Sequence, residues 1–124
     1  YAIALAVSVM GLSLFNFYYL QVDMVVNNNM VFYAITLAQL WHVFNLPGPK
    51  QSFWSNVVMQ NKFIWGAILL CIGLVVLAYW IPPVNEVLGL TTISPFQLLV
   101  VFVVSWFPVL MIQSTRKIFN YKRN

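Results

Sequence analysis

The chain has 124 residues, 62% of them hydrophobic and only 6% charged, with a formal net charge of +4. A soluble domain carries about a quarter charged residues, so lipid must meet most of this surface, and the mean hydropathy of +0.86 agrees. A pI near 9.5 does not make a nucleic-acid binder, because the basic residues sit in connectors between apolar runs and not on one soluble face.

A bilayer core about 30 Å thick needs roughly 20 apolar residues in helical form. The first such run is Tyr1 to Leu20, ending in the aromatic cluster Phe15, Phe17, Tyr18 and Tyr19. It begins without an initiator methionine, a basic segment or a small-residue cleavage site, so it is not a signal peptide; it reads as a cut through a longer protein. The second run, about 28–44, is shorter and the most polar. The third, about 63–81, is almost purely aliphatic and stops at Pro82-Pro83, after which Val84 to Leu90 is apolar enough to lie as a short helical turn at the interface. The fourth, about 96–112, follows Ser94-Pro95, a good N-cap and first-turn pair, and a basic tail fills 113–124. Barrel strands would alternate over about ten residues, and these runs do not. The expectation is an all-α, integral membrane bundle of four transmembrane helices forming a single transmembrane domain over 1–124.

Charge sets the orientation. The first connector carries only Asp23 and the third only Glu86, whereas the second connector, Leu46 to Asn61, with the adjoining helix start carries Lys50 and Lys62, and the tail carries Arg116, Lys117, Lys122 and Arg123. All the basic residues then fall on one side, which the positive-inside rule makes cytoplasmic, with both termini inside. Trp54, Trp65, Tyr79, Trp80 and Tyr121 stand near the interfaces as belt aromatics do. The tail should attract anionic lipid. Ala4, Ser8 and Gly11 on the first helix, and Gly66 and Gly73 on the third, are small enough for close helix approach. Pro108 removes a backbone donor within the fourth helix and predicts a kink. Cys71 is the only cysteine, so no intrachain disulfide is available.

Ionisable groups at mid-depth are where membrane proteins show their function, and here the acids belong to connectors. Without a carboxylate pair there is no proton relay to propose, and neither a phosphate-cradling glycine loop nor metal-ligand spacing occurs. The segment has no catalytic residue and no cofactor site of its own. What remains is a polar stripe on the second helix: Thr36, Gln39 and His42, with Asn45 at its end. Steps of three keep these within one broad face. The stripe has two readings, an interhelical hydrogen-bond cluster or a cation pathway in which Gln39 is the metal-contacting residue.

At this stripe the sequence resembles a known family. FYAITLAQLWHVFNL (Phe32 to Leu46) and NKFIWGAILLCIGLVVLAYWIPPVNEVLGL (Asn61 to Leu90) are similar to the last four membrane helices of P-type cation-transporting ATPases. The Gln39-to-Asn45 segment, the Asn61-Lys62-Phe63 helix start and the Ile81-Pro82-Pro83 helix end carry most of the likeness. The resemblance implies a role in an ATP-driven calcium, sodium/potassium or related cation pump. In two-site calcium pumps the position matching Gln39 is a glutamate that binds an ion; in plasma-membrane-type calcium pumps and sodium–potassium pumps it is a glutamine. Sodium–potassium pumps place a carboxylate three residues later, where this chain has His42. The helix thus supplies no anionic ligand, and a plasma-membrane-type calcium pump moving a single ion fits best, in a plasma or inner membrane.

The resemblance further implies that the phosphorylation motif DKTGT and the use of ATP and Mg2+ belong to other domains of the parent. The expected partners are membrane lipid, the remaining helices and cytoplasmic domains, and the transported cation. The segment itself would brace the ion-binding helices and offer them a neutral polar face. The competing reading is a stand-alone four-helix membrane protein acting as a structural or assembly subunit, which the lack of ionisable core residues also suits.

Overall fold

The computed structural model describes residues 1–46 and 57–121, without the side chains of 116, 117 and 119–121. Lys50, Ser52, Trp54, Lys122 and Arg123 lie outside the described residues, as do the side chains of Arg116, Lys117, Asn120 and Tyr121. Every regular element described is helical: α1 (Ala2–Phe15) running into a π-helical turn (Asn16–Leu20), α2 (Met24–His42) with a 3-10 end (Val43–Asn45), α3 (Val57–Gln60), α4 (Lys62–Trp80), α5 (Pro82–Leu88) and α6 (Pro95–Tyr121).

Local chemistry explains most boundaries. Asn61 caps α4, its side-chain oxygen accepting from the Phe63 amide at 2.9 Å, which accounts for the Asn-Lys-aromatic start. At α6, Ser94 and Gln97 form a reciprocal capping box: the Gln97 amide donates to Ser94 Oγ at 3.2 Å and the Ser94 amide to Gln97 Oε1 at 2.7 Å. Pro82 starts α5, which ends on Gly89 at φ 60°, the left-handed cap that glycine adopts without strain. The Asn85 side chain donates from Nδ2 to the Tyr79 carbonyl at 2.8 Å, filling one of the acceptors that the end of α4 leaves open. Helix α6 continues through Pro108 to Tyr121, so most of the expected tail extends this helix.

Helices α1, α2 and α6 form the core. Ala4, Ser8, Leu12 and Asn16 repeat every four residues along α1 and its π turn, and all are buried. Opposite them stand Met30, Ala34 and Ala38 of α2 and Val101, Ser105 and Val109 of α6. The small side chains let backbones approach, the packing available where lipid offers no hydrophobic drive. Contacts between ends define the directions. Tyr1 donates to the Ala38 carbonyl and Asn16 to Asn27, so α1 and α2 run antiparallel. Asn29 meets Thr91, Trp41 meets Ser105 and Asn45 meets Gln113, so α2 and α6 run parallel.

Helix α4 stands apart, with Ile68 its only buried residue. The expected close approach at Gly66 and Gly73 is not made among the described residues: a Cβ at either would meet nothing within 4 Å, and Gly11 of α1 is equally open. Ala4 and Ser8 do pack as their size suggests. Among the described residues, three helical stretches are long and apolar enough to cross a membrane, Ala2–Leu20, Lys62–Trp80 and Pro95–Thr115. Helix α2 is not among them, since Asn27, Asn28, Asn29, Gln39 and His42 dilute it. Of these, Asn27 and Asn29 are buried, whereas Asn28 and Gln39 are exposed.

Candidate functional site

Helix α2 has two faces. One carries Asn27, Met30, Ala34 and Ala38 into the core. The other carries Val25, Asn28, Phe32, Ile35 and Gln39, all exposed. Their spacing of three and four alternately is that of a helix seam awaiting a partner. Its middle is apolar and its two amides stand at either end.

The four stripe residues do not share one surface. Three residues advance a helix by about 300°, so each step of three slips the side chain about 60° around the axis. Thr36 is half-buried and donates to the Phe32 carbonyl of its own helix at 2.8 Å. Gln39 points away from the core. His42 is half-buried, its ring stacked on Tyr1 at 3.6 Å and 16°. Asn45 has turned fully inward, 1% exposed, and its Oδ1 accepts from Gln113 Nε2 of α6 at 2.6 Å. The stripe therefore divides: Asn45 is an interhelical hydrogen-bond residue, Thr36 is satisfied locally, and Gln39 alone is presented outward.

The back of α2 is braced on α6. Trp41 Nε1 donates to Ser105 Oγ at 3.1 Å, and that hydroxyl donates to the Phe102 carbonyl at 2.6 Å. The Trp41 ring stacks on Trp106 at 4.9 Å and meets Phe102 edge-on at 5.9 Å. Towards the start of α2 a second set of amides holds the fold. Asn16 Nδ2 donates to Asn27 Oδ1 at 2.9 Å. Asn29 donates to the Gly89 carbonyl and accepts from the Thr91 amide, both at 3.0 Å, clamping the α5–α6 loop to α2. Among the described residues no group of three or more His, Cys, Asp or Glu gathers.

Sequence reasoning passed over Asn16, Asn27, Asn28, Asn29, Ser105 and Gln113. An Asn inside an apolar run, or three in succession at the start of a membrane helix, was the available signal, because such groups need partners in hydrocarbon. The second helix begins at Met24, earlier than the expected 28, which brings Asn27 into it.

Residues 1–119 match the family described as cation transporting ATPase, C-terminus. The chain belongs to that family. Comparison with curated proteins and with solved structures returned no match. As the C-terminal domain of a cation-transporting ATPase, this bundle of apolar helices is integral to a membrane and part of a larger pump.

Proposed function

We propose that the chain is the membrane anchor of a P-type calcium pump, bracing the ion-binding helices and presenting Gln39 to the transport pathway as a neutral ligand. The observation that carries this reading is the open face of α2: the helix packs into the core through Asn27, Met30, Ala34 and Ala38, and Gln39 stands on its exposed side. In hydrocarbon its amide would lack partners at a cost of several kcal/mol, so further protein or water covers it. One amide oxygen supplies a fraction of the six to eight oxygens that calcium takes; the rest come from the parent's other helices.

In this reading α1, α2, α4 and α6 all cross the membrane, both chain ends are cytoplasmic, and the membrane is the plasma or inner membrane. The parallel course of α2 and α6 supports the count, because α4 has to carry the chain back between them. At 19 residues, α2 spans about 28 Å at ~1.5 Å per residue, close to a bilayer core. ATP and Mg2+ act in the parent's cytoplasmic domains.

The test is phosphoenzyme formation by the full-length gene product in membranes, with ATP and calcium, sodium or potassium. Calcium-stimulated, acid-stable phosphorylation is expected. Stimulation by sodium with no response to calcium would reject the calcium assignment and keep the pump; no cation-dependent phosphoenzyme would reject both.

A further inference from the structure

Two stripes of side chains, one on α2 and one on α4, line the same space. On α2, Tyr33, Thr36, Leu37 and Leu40 stand at the spacing of a single helix face. On α4, Ile72, Val75, Val76 and Tyr79 repeat that spacing. Helix faces of this kind ordinarily interdigitate, yet a cavity of about 320 Å³ separates them, its lining completed by Ile93 and Leu98 near the start of α6.

The gap follows from how α4 is attached. At one end Phe44, just past α2, meets Trp65 of α4 at 5.4 Å between ring centroids. At the other, Asn29 of α2 clamps Gly89 and Thr91, in the segment that leaves α5. The two helices therefore run antiparallel, joined at both ends and apart between them, and Tyr33 and Tyr79 come to the same end of the cavity. The walls are hydrocarbon except for three hydroxyls. Thr36 spends its own on the Phe32 carbonyl, whereas those of Tyr33 and Tyr79 make no hydrogen bond among the described residues.

An occupant has to be apolar along most of its length, with hydrogen-bond acceptors at one end. It also has to be slender. Tyr33 to Leu40 measures about 10 Å along the axis, and a helix that long and about 10 Å across fills roughly 800 Å³, more than twice this space. Water finds too few polar partners on such walls. Lipid is what surrounds a chain with 6% charged residues.

We propose that the cavity binds one acyl chain of a phospholipid, with Tyr33 and Tyr79 donating to the ester oxygens where the chain meets its head group. Tyr79 lies one residue before the end of the apolar span Lys62–Trp80, at the level where tyrosine and tryptophan meet lipid head groups. The bound chain fills the gap and joins α4 to the core of α1, α2 and α6. The site is the same whichever cation the pump carries.

The experiment uses the full-length gene product, reconstituted with phosphatidylcholine that carries a photoreactive diazirine part-way down one acyl chain. Peptide mapping after illumination should find label concentrated on Leu37, Ile72 and Val75 of the cavity wall, above the level on the exposed Leu70, Leu74 and Leu77. Val75→Trp, which fills the cavity, should abolish the label on Leu37, and Leu74→Trp, outside it, should leave that label unchanged. A second readout is the rise in Tm as delipidated protein in detergent is titrated with unlabelled phosphatidylcholine. Tyr33→Phe and Tyr79→Phe should each raise the half-saturating lipid concentration by about threefold to tenfold, the size of one lost hydrogen bond. Label confined to the exposed leucines of the unsubstituted protein would overturn the site, since lipid then only coats the outside. That map decides even where Val75→Trp fails to fold. Label on Leu37 that persists in a folded Val75→Trp variant would overturn it as well, and an unchanged titration in both Phe variants would overturn the assignment of the hydroxyls.

Discussion

Asn16 and Asn27 meet inside the bundle, the Nδ2 of one donating to the Oδ1 of the other at 2.9 Å, with 0% and 6% of the residues exposed. Asn16 opens the π-helical turn that ends α1, and this bond ties that turn to the start of α2. Its own Oδ1 is buried without a partner among the described residues, so the pair is only partly satisfied.

A partly satisfied pair makes a specific stability prediction. Asn16→Leu should destabilise the α1–α2 contact by about 0.6–2 kcal/mol, the range for membrane interhelical hydrogen bonds. The double variant Asn16→Leu with Asn27→Leu should cost less than the sum of the singles, because both polar groups are then gone. Denaturant titration of the purified membrane protein in detergent reads the cycle, and strict additivity would show that the bond contributes nothing.

Trp41 and Ser105 give a second cycle. Trp41→Phe keeps a stacking ring opposite Trp106 but removes the indole donor, and should cost about 1 kcal/mol. Ser105→Ala should cost a similar amount, and the two should couple. Near-ultraviolet circular dichroism of Trp106 checks that the ring stack survives; its collapse in Trp41→Phe would assign the effect to packing.

At the α5–α6 loop, Asn29→Leu removes both a donor and an acceptor and should raise amide exchange at Thr91 while leaving the α1–α2 contact intact. Gly89→Ala should cost about 1 kcal/mol from the left-handed backbone alone, since a Cβ there would meet nothing within 4 Å. A neutral Gly89→Ala variant would mean that the loop changes conformation.

The local signals were legible because they depend on neighbours in sequence. Ser94-Pro95 read as a helix start and forms a capping box with Gln97; Pro82-Pro83 read as a stop and begins α5. Pairings between helices were not legible. Nothing in the sequence said that Asn45 would turn in to Gln113 while Gln39 turned out, because that depends on where α6 lies. The apolar runs of α4 look the same whether they meet helix or lipid, so Gly66 and Gly73 read as an interface that the described residues do not form.

Orientation is open to direct labelling. Cysteines introduced at Ser52 and Asn120 should react with impermeant reagent from the cytoplasmic side only, since the basic residues gather there. Cysteines at Asp23 and Asn85 should react from outside only. Asp23 immediately precedes α2, and Asn85 lies in α5, so the two report on both outer connectors. Labelling of Ser52 from outside would invert the arrangement.

Gln39 decides the functional reading. In the intact pump, Gln39→Leu roughly keeps bulk and removes the amide, and should weaken cation activation of phosphorylation by about threefold to tenfold, as for one neutral ligand or hydrogen bond. Gln39→Glu adds a carboxylate oxygen to the open face and should strengthen cation activation, because ligand charge raises the affinity for a divalent ion. His42→Ala should do less: its ring rests on Tyr1 at the end of α2 rather than on the open face. Thr36→Val should be close to silent, because that hydroxyl is bonded to its own helix at Phe32. Should Gln39→Leu leave affinity and turnover untouched while the protein still forms phosphoenzyme, the open face of α2 is a packing seam, and the cation passes elsewhere.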